Sequence, residues 1–328
     1  MTASGTRAVH RPPEEDSEGV PTVEPRVLLT RFLLGQGVEL GPGHHPFPLP
    51  FGGTTVRYVD RWEPSENRAL FPELGGKAPF PQPDVVANLD TDRLTSIPSG
   101  SQDFVIASHV LEHLAEPLGQ IEEIYRVLRG GGIALILLPD RRYTFDLHRQ
   151  PTSLDHLIDE YRRRVTAVDD EHLEEFMRNT DVWDPDWSEA ERRDAMETHR
   201  RRSIHVHCWT ETEFLSVLEH TMTVMGMRWE LLDTLFVDEV PGSLEFGVVL
   251  RKTTLDVPGA ELVDHLLAGW QAQRGRVGTR HEHEHEHEHE PANGTPETAR
   301  PGRRGIRRVR SAAGRTLRSA RWRLARRR

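Results

Sequence analysis

The sequence predicts an α/β fold, a mostly parallel sheet with helices on both faces. Three observations indicate this fold. Segments at 38–40, 103–108 and 133–138 have the pattern of strands, and the first of them leads into a glycine turn. The run 133–138 is apolar at every position, as in a parallel strand that is covered on both faces. Apolar residues recur at helical spacing between the second and third runs, which is the order of a β-α-β unit.

The first run has the pattern of a nucleoside pocket. Glu39 is followed by Gly41 and Gly43, and a second strand pattern at 56–60 ends in Asp60. Glycines let a backbone approach a ligand, and an acid at a strand end can accept both ribose hydroxyls. An ordinary tight turn would carry the same two glycines. The segment 44–50 holds three prolines and cannot open a regular helix, so the turn lacks the helix N-terminus that a pyrophosphate needs.

A nucleoside without a phosphate, such as S-adenosylmethionine, suits this turn. Glu39 can face its amino group and Asp60 can bind its ribose. Further along the chain come Asp90, the turn Ser-Gly-Ser-Gln-Asp at 99–103, Leu-Glu-His at 111–113, and Leu-Arg-Gly-Gly-Gly at 128–132 before the third strand. In this order and spacing the region from about 37 to 252 resembles class I S-adenosylmethionine-dependent methyltransferases of the type 11 group.

The resemblance implies a Rossmann-like seven-stranded methyltransferase sheet with an antiparallel closing hairpin and a helical insertion after strand 5. It also implies S-adenosylmethionine as the cofactor. The positions that match the family's cofactor-binding residues are Glu39, Gly41, Gly43, Asp60, Asp90 and His109. Asp92 is an alternative to Asp90, because the register there is uncertain by about one residue. Trp62 is a candidate to flank the adenine, or to pack in the core.

The remaining elements follow from local signals. Pro117 opens a helix with apolar residues at 118, 121, 124 and 128, and the glycines after Arg129 end it. Thr210 and Glu213 have capping-box spacing, which predicts another helix from about Glu211. Apolar runs at 227–237 and 244–250 predict the two strands of the closing hairpin.

Composition divides the chain into four parts, the second of which contains an insertion. Residues 1–25 are predicted to be a disordered N-terminal segment, 26–267 the methyltransferase domain, and 140–204 a helical acceptor or lid insertion within it. Residues 268–299 are predicted to be a low-complexity linker with a His-Glu repeat at 281–290 that could bind zinc or nickel weakly. The single cysteine, Cys208, fits a reducing cytosol.

Residues 300–328 form an Arg-rich amphipathic tail. They hold 13 arginines and no acid, which leaves 29 basic and 52 acidic residues in the rest of the chain. Apolar residues fall three or four apart along the tail, and Trp322 is a candidate interfacial anchor. This pattern favours an anionic membrane surface as the partner, and nucleic acid or the acidic domain of the same chain are the alternatives. The protein is therefore expected to be cytoplasmic, with a peripheral association to the inner face of the membrane.

Histidines supply the candidates for catalysis. His205 and His207 alternate in a strand-like segment, and either could act as the base that removes a hydroxyl proton, with His148 behind them. His109, Glu112 and His113 have helical spacing and could share a face. Some RNA-end and quinone O-methyltransferases have a related Glu-x-x-Glu-His cluster that binds magnesium. Here histidine replaces the first glutamate, so no metal is predicted, and a hydrogen-bonded corner is the alternative.

The sequence thus predicts an S-adenosylmethionine-dependent methyltransferase. The segment 140–149 resembles proteins of bacterial surface-glycan and lipid-linked sugar pathways, which implies O-methylation of a small-molecule or glycan hydroxyl. Two other functions stay open. One is an NAD(P)-dependent sugar oxidoreductase, and the other is a noncatalytic nucleoside-binding scaffold that the basic tail recruits.

Overall fold

A computed structural model describes residues 24–49, 52–74, 79–180 and 182–287, with side chains up to Arg276. One seven-stranded sheet organises these residues. Its strand order is β3-β2-β1-β4-β5-β7-β6, and β7 runs antiparallel to both of its neighbours. The strands are β1 Gly35–Leu40, β2 Thr54–Asp60, β3 Val85–Val86, β4 Gln102–Ser108, β5 Leu128–Pro139, β6 Trp229–Leu235 and β7 Glu245–Lys252.

Parallel pairing brings the functional ends of β1, β2 and β4 together. Leu40 pairs with Val59 of β2 and with Ala107 of β4. Because neighbouring parallel strands end at the same edge, the segments that follow them share one crevice. All four last residues of β1 are buried, as the apolar run predicts.

Helices cover both faces of the sheet. They are α1 Pro25–Leu28, α2 Pro64–Leu70, α3 Pro117–Val127, α4 Leu154–Arg163, α5 Asp170–Asn179, α6 Glu189–Arg202, α7 Glu211–Thr223 and α8 Gly259–His287. The larger core lies between the sheet and α3, α7 and α8, and a smaller one lies beneath the opposite face beside Leu29 and Phe47. The predicted α/β fold with its closing hairpin is confirmed.

Local signals placed most boundaries well. In α3, Glu116 caps the helix by accepting a hydrogen bond from the Gly119 N–H at 2.7 Å. The helix ends at Val127, three residues before Gly130, and the glycines predicted to stop it lie within β5. At the start of α7, the Thr210 N–H donates to Glu213 Oε2 at 2.6 Å, which completes the predicted capping box.

The predicted insertion is helical and has a small core of its own. Between β5 and α7 lie a 3₁₀ turn, Phe145–His148, and the helices α4, α5 and α6. Leu173 and Met177 of α5 pack with Ile204 and Val206. The segment 204–208 is not a regular strand, although an isolated bridge joins Asp140 and Trp209 just after it.

The C-terminal helix α8 extends past the predicted domain boundary at residue 267. Trp270 is 7% exposed and packs edge to face on Phe236, with 5.3 Å between ring centroids. The backbone stays helical to His287, so the start of the His-Glu repeat continues a helix. Most of the predicted N-terminal segment, the rest of the repeat and the Arg-rich tail lie outside the described residues. Within the described part of the chain, no helix has the length and apolar character needed to cross a bilayer.

Candidate active site

Three predicted cofactor residues lie at the shared edge of β1, β2 and β4. Glu39 is the second-to-last residue of β1, Asp60 is the last of β2, and His109 directly follows β4. The strand order places these three positions at the ends of neighbouring strands, in the order Asp60, Glu39, His109, although Glu39 itself pairs with Tyr58 and Ile106. The sheet therefore brings the three predicted positions to one edge.

Glu39 is a buried acid that keeps one free oxygen. It is 2% exposed, and its Oε1 accepts a hydrogen bond from the Phe47 N–H at 2.8 Å, whereas Oε2 has no partner. Burial raises the pKa of Glu39 to about 7, and the Phe47 N–H and the charge of Arg26 oppose this rise. A buried carboxylate oxygen without a partner is costly, so this position fits an ammonium group of a ligand.

The glycines of the turn adopt backbone conformations that other residues avoid. Gly41 and Gly43 both have φ of 53°, in the left-handed region. A side chain at Gly41 would also meet Val110 at 3.3 Å. The Gly41 N–H donates to the Val59 carbonyl at 2.8 Å, which holds the turn against β2. The turn is thus built for close approach of a ligand to the backbone.

Asp60 and Asp90 are both shielded acids. Burial raises the pKa of Asp60, against hydrogen bonds from the backbone of Trp62, Arg61 and Gly43 and from the Asn67 side chain. Asp90 Oδ1 accepts from the Ala115 N–H at 2.8 Å, and burial raises its pKa too. The neighbouring candidate Asp92 is exposed. The structure therefore favours Asp90 over Asp92, while Trp62 is half-buried beside Asp60 with the Arg61 guanidinium over its ring.

His109 is bound on both of its nitrogens. Its φ of 55° is unusual for a residue with a side chain. Nε2 lies 2.7 Å from Glu245 Oε2, and Nδ1 lies 3.5 Å from Glu112 Oε1. Burial opposes the charged ring, but Glu112 and Glu245 outweigh it and raise the pKa of His109 to about 10. His109 is therefore a cation at neutral pH, next to a groove of about 400 Å³ that Arg26 and Glu245 also line.

Glu112, His113 and His205 converge beside His109. Each offers an atom that could bind a metal ion, and these atoms lie within 4.8 Å of one another. His113 Nδ1 donates to the Ile204 carbonyl at 2.8 Å, and His205 Nδ1 donates to Asp146 Oδ2 at 2.6 Å. These bonds use Nδ1 of both rings, so Nε2 of each ring is the atom available to a ligand or a metal ion. The spacing suggested that His109, Glu112 and His113 share a face. In the structure His205 takes the place of His109 in this group, and His109 pairs with Glu245.

Glu112 is the buried centre of this acceptor cluster, the name used below for Glu112, His113 and His205. Its side chain is fully buried, and neither carboxylate oxygen makes a hydrogen bond of normal geometry. Burial opposes its charge, but His109 and His113 outweigh that effect and hold the pKa of Glu112 below its usual range. Its backbone carbonyl accepts from the Val206 N–H at 2.7 Å, which docks the segment 204–208 onto the end of β4.

The structure separates the two histidines predicted to share a face. The His205 side chain is 11% exposed and lies in the acceptor cluster, as its predicted role requires. His207 is 0% exposed and contacts His156, His172 and Trp209 instead. Because the segment is not a regular strand, alternation did not apply, and the prediction of His207 as a base does not fit its position. His148 is exposed on the 3₁₀ turn.

Several site residues were missed by sequence reasoning. Asp146 orients His205 and also pairs with the buried Arg149, whose Nη1 lies 2.9 Å from Asp146 Oδ1. Arg149 in turn donates to the carbonyls of His205 and Val206 at 2.7 and 3.0 Å. Asp146 and Arg149 lie three residues apart in the segment 140–149, and this spacing could have predicted their ion pair. No local signal marks Glu245, which reaches His109 from 136 residues away.

Comparison with known proteins identifies one segment directly. Residues 38–136 match a family described as methyltransferase domain. This range runs from β1 through most of β5 and contains every predicted cofactor residue. No curated protein matches the sequence at the threshold applied.

Solved structures with a similar chain trace include three from this general class. A methyltransferase of Methanosarcina mazei, described as S-adenosylmethionine-dependent, is 18% identical, with a TM-score of 0.41 over 70% of this chain and 98% of that one. The 1,6-didemethyltoxoflavin-N1-methyltransferase of Burkholderia thailandensis, solved with S-adenosylhomocysteine, is 15% identical, with a TM-score of 0.39 over 70% and 77%. The CurJ carbon methyltransferase is 13% identical, with a TM-score of 0.36, and this chain covers 50% of it.

Proposed function

We propose that this chain, a class I S-adenosylmethionine-dependent methyltransferase with its methyltransferase domain motifs at residues 38–136, methylates a hydroxyl oxygen of a small-molecule or glycan acceptor. The observation that carries the proposal is the acceptor cluster, in which His205 is oriented by Asp146 and faces Glu112. A hydroxyl becomes a good nucleophile when a nearby base takes its proton, and His205 is placed to act as that base.

The cofactor side of the crevice fits S-adenosylmethionine, which supplies a methyl group activated on a sulfonium. Glu39 Oε2 is a buried acceptor that lacks a partner, as an amino group of the cofactor would provide. Asp60 accepts the ribose hydroxyls, and Gly41 and Gly43 let the backbone come close. His109, charged at neutral pH, places a cation where the resemblance puts the methionine end.

The acceptor side can hold and deprotonate a hydroxyl. The Asp146 carboxylate keeps the proton of neutral His205 on Nδ1, so Nε2 carries the lone pair. S-adenosylmethionine, when bound, would supply its sulfonium methyl group to the acceptor oxygen and would leave as S-adenosylhomocysteine. The hydroxyl proton passes to His205 Nε2. Alignment of the two reactants supplies most of the rate enhancement in such a displacement.

A metal-assisted variant of the same reaction is the second candidate. The observation that favours it is Glu112, whose oxygens make no hydrogen bond of normal geometry, although His109 Nδ1 lies 3.5 Å from Oε1, and which lies near ring nitrogens of His113 and His205. A divalent cation bound there would hold the acceptor oxygen and lower the pKa of its hydroxyl. Activity that is lost after chelation and restored by one added metal would support this variant over a free His205 base.

An apolar surface beside the cluster suits a sugar ring or a lipid-linked acceptor. Tyr143, Phe145 and Leu147 are each at least half exposed, and the Phe145 ring lies 4.5 Å from the His205 ring. Exposed aromatic side chains on a loop near a site often contact ligands. The glycan acceptor and the association with a membrane surface remain proposals from the sequence of the 140–149 segment and of the tail.

Titration calorimetry with S-adenosylhomocysteine tests the cofactor half. We expect micromolar binding that weakens at least tenfold in Asp60→Ala, because a bidentate contact to ribose is worth on the order of 1.5 to 3 kcal/mol. Unchanged affinity would show that Asp60 is not the ribose acid. Binding of NADH alone would favour the oxidoreductase, and binding of neither ligand would favour the scaffold.

Product analysis tests the acceptor half. Incubation with methyl-labelled cofactor and a panel of sugars, lipid-linked sugars and phenols should give a labelled ether in the wild type. Formation of N-methyl or C-methyl products instead would overturn the hydroxyl assignment while leaving the methyltransferase assignment intact.

A further inference from the structure

A second histidine cluster lies on the insertion, away from the acceptor cluster. It consists of His156 and Glu160 from α4, His172 from α5, and His207 from the segment 204–208, and we call it the insertion cluster. One potential ligand atom of each residue lies within 4.8 Å of every other. Three segments that are distant in sequence thus bring three imidazoles and one carboxylate to a single point.

Two of the four distances within the insertion cluster match those between ligands of one tetrahedral ion, and the two that involve His156 are about 0.3 Å shorter. His156 Nε2 lies 3.0 Å from both His172 Nε2 and Glu160 Oε1. Glu160 Oε1 lies 3.4 Å from His172 Nε2, and Glu160 Oε2 lies 3.4 Å from His207 Nε2. Zinc binds nitrogen and oxygen at about 2.0 to 2.2 Å, so two ligands on a tetrahedron lie about 3.3 to 3.5 Å apart.

Two of these groups are fully buried and incompletely hydrogen-bonded. Glu160 is 1% exposed and His207 is 0% exposed. Glu160 Oε2 and both ring nitrogens of His207 have no hydrogen bond of normal geometry. A charged His156 donating a proton to Glu160 Oε1 would explain one contact, but Glu160 Oε2 and His207 Nε2, which lie 3.4 Å apart, would still lack a hydrogen bond of normal geometry. Buried polar atoms in native proteins normally find partners, so a cation at the centre accounts for the arrangement better.

A supporting residue fixes one ligand in the orientation that metal binding requires. His172 Nδ1 donates to Asp169 Oδ1 at 2.7 Å, so the lone pair of the neutral ring is on Nε2, the atom inside the cluster. Histidine ligands of metals commonly donate their other nitrogen to a carboxylate in this way. The Trp209 ring stacks beside His207 with 5.7 Å between centroids and shields that side from water.

We propose that the insertion cluster binds one Zn²⁺ ion through His156, Glu160, His172 and His207. Four protein ligands complete a tetrahedron and leave no open position, so the ion is structural. It joins α4 and α5 to the segment 204–208. His205, two residues before His207, is thereby held in the acceptor cluster. The metal site itself is independent of the acceptor and of the reaction proposed above.

Metal analysis of the full chain tests the site, provided that the His-Glu repeat is silenced. In the protein used as the background for these tests, five histidines of the repeat are replaced by glutamine: His281, His283, His285, His287 and His289. After dialysis against a weak chelator we expect it to retain zinc at a site that His172→Ala weakens at least 100-fold. Added Co²⁺ should give the intense visible absorption of a tetrahedral site in the background protein and not in His172→Ala.

Two control variants separate this site from other histidines. His113→Ala removes a member of the acceptor cluster, and His265→Ala removes an exposed histidine of α8. Both should keep the tetrahedral Co²⁺ absorption. Its loss in His113→Ala with retention in His172→Ala would place the metal in the acceptor cluster and overturn the proposal.

A conservative variant protects the test against misfolding of His172→Ala. Asp169 also caps α5 by accepting from the His172 N–H at 3.0 Å, and asparagine keeps this cap. Asp169→Asn should fold and bind zinc about 10- to 100-fold more weakly, as for other residues that support a ligand. Zinc affinity of Asp169→Asn equal to that of the background protein would overturn the proposal. The proposal would also fail if the folded background protein held no tightly bound metal.

Discussion

Asp146 Oδ2 lies 2.6 Å from His205 Nδ1, while the other oxygen of Asp146 lies 2.9 Å from Arg149. One buried carboxylate therefore orients the candidate base and neutralises a buried guanidinium. Arg149 also pairs with Glu175 and holds the carbonyls of His205 and Val206. The position of His205 depends on this network as well as on its own hydrogen bond.

Asp146→Asn should therefore cost stability. Asparagine can still accept from His205, but it leaves Arg149 with only Glu175 as a charged partner. Breaking a buried pair costs about 3 kcal/mol at the lower end of the known range. Urea unfolding at pH 7 measures the loss. Asp159→Asn, which removes an exposed partner of Arg163, is the matched control and should cost less than about 1 kcal/mol. Equal losses in both variants would contradict a special role for Asp146.

His205→Gln should slow the chemical step without affecting the cofactor. Removal of a general base typically lowers kcat by about 10²- to 10⁴-fold. Single-turnover rates with the acceptor found by product analysis measure this effect, and calorimetry should show S-adenosylhomocysteine affinity within about twofold of the wild type. His148→Gln changes an exposed histidine on the neighbouring turn and should leave kcat unchanged. A normal rate in His205→Gln would transfer the role of base to another group.

Glu39 should make cofactor binding depend on pH. Its pKa of about 7 means that the carboxyl of the free protein is protonated at pH 5 and must ionise to face an ammonium group. Affinity for S-adenosylhomocysteine should thus rise by up to about tenfold per pH unit from pH 5 to 7. Glu39→Gln should bind weakly with little slope, and Asp92→Asn, an exposed acid, should keep the wild-type slope. Calorimetry at pH 5.5, 6.5 and 7.5 decides the matter.

The same raised pKa has the opposite effect on the stability of the free protein. The folded state binds the Glu39 proton more tightly than the unfolded chain, whose carboxyl has a pKa near 4.5. The stabilising contribution is present in full below pH 4.5 and is lost as the pH rises through about 7. Free protein should therefore lose stability over this range relative to Glu39→Gln, whereas protein saturated with S-adenosylhomocysteine should not.

The cofactor half was predictable because its signals are local. Glu39, Gly41 and Gly43 sit in one turn, and Asp60 ends the next strand, so strand periodicity and parallel pairing place them together. The hairpin 229–252 was equally clear, since the apolar residues of both strands leave a strong pattern, although only β7 is mostly buried. In each case the relevant residues are close in sequence or are related by the geometry of the sheet.

The acceptor half depended on contacts that sequence patterns do not encode. Alternation placed His205 and His207 on one face, but the irregular segment that carries them turns the two rings toward different clusters. His156 and Glu160 are spaced i, i+4 on one helix, yet their partners His172 and His207 come from elsewhere. Such sites form through tertiary packing of the insertion, which single-sequence reasoning could not position.

The Arg-rich tail should bind anionic lipid. Deleting residues 300–328 removes 13 positive charges, and each basic residue near an anionic surface contributes about 1 kcal/mol. The full chain should sediment with vesicles that contain about 30% anionic lipid, as a cytoplasmic leaflet does. The sedimented fraction should fall as the salt concentration rises. The shortened chain should stay in solution and bind S-adenosylhomocysteine normally. Retention of DNA or RNA but not of vesicles would assign the tail to nucleic acid instead.

Truncation should show that the domain extends beyond residue 267. Trp270 fills the space against Phe236, Gln273 accepts from the Thr234 hydroxyl at 2.6 Å, and Arg274 pairs with Asp238 and Glu211. Trp270→Ala in the full chain should lower the free energy of unfolding by about 3 to 5 kcal/mol, because a buried indole leaves a large cavity.

Removal of all residues after 267 should lower the free energy of unfolding at least as much as Trp270→Ala, whereas removal of those after 287 should change it little. Gln271→Ala, an exposed position on the same helix, is the matched control. Urea midpoints provide the comparison. If the chain ending at 267 is as stable as the chain ending at 287, then α8 beyond Leu267 is only a spacer to the tail. If it is less stable, the part of α8 beyond Leu267 completes the core.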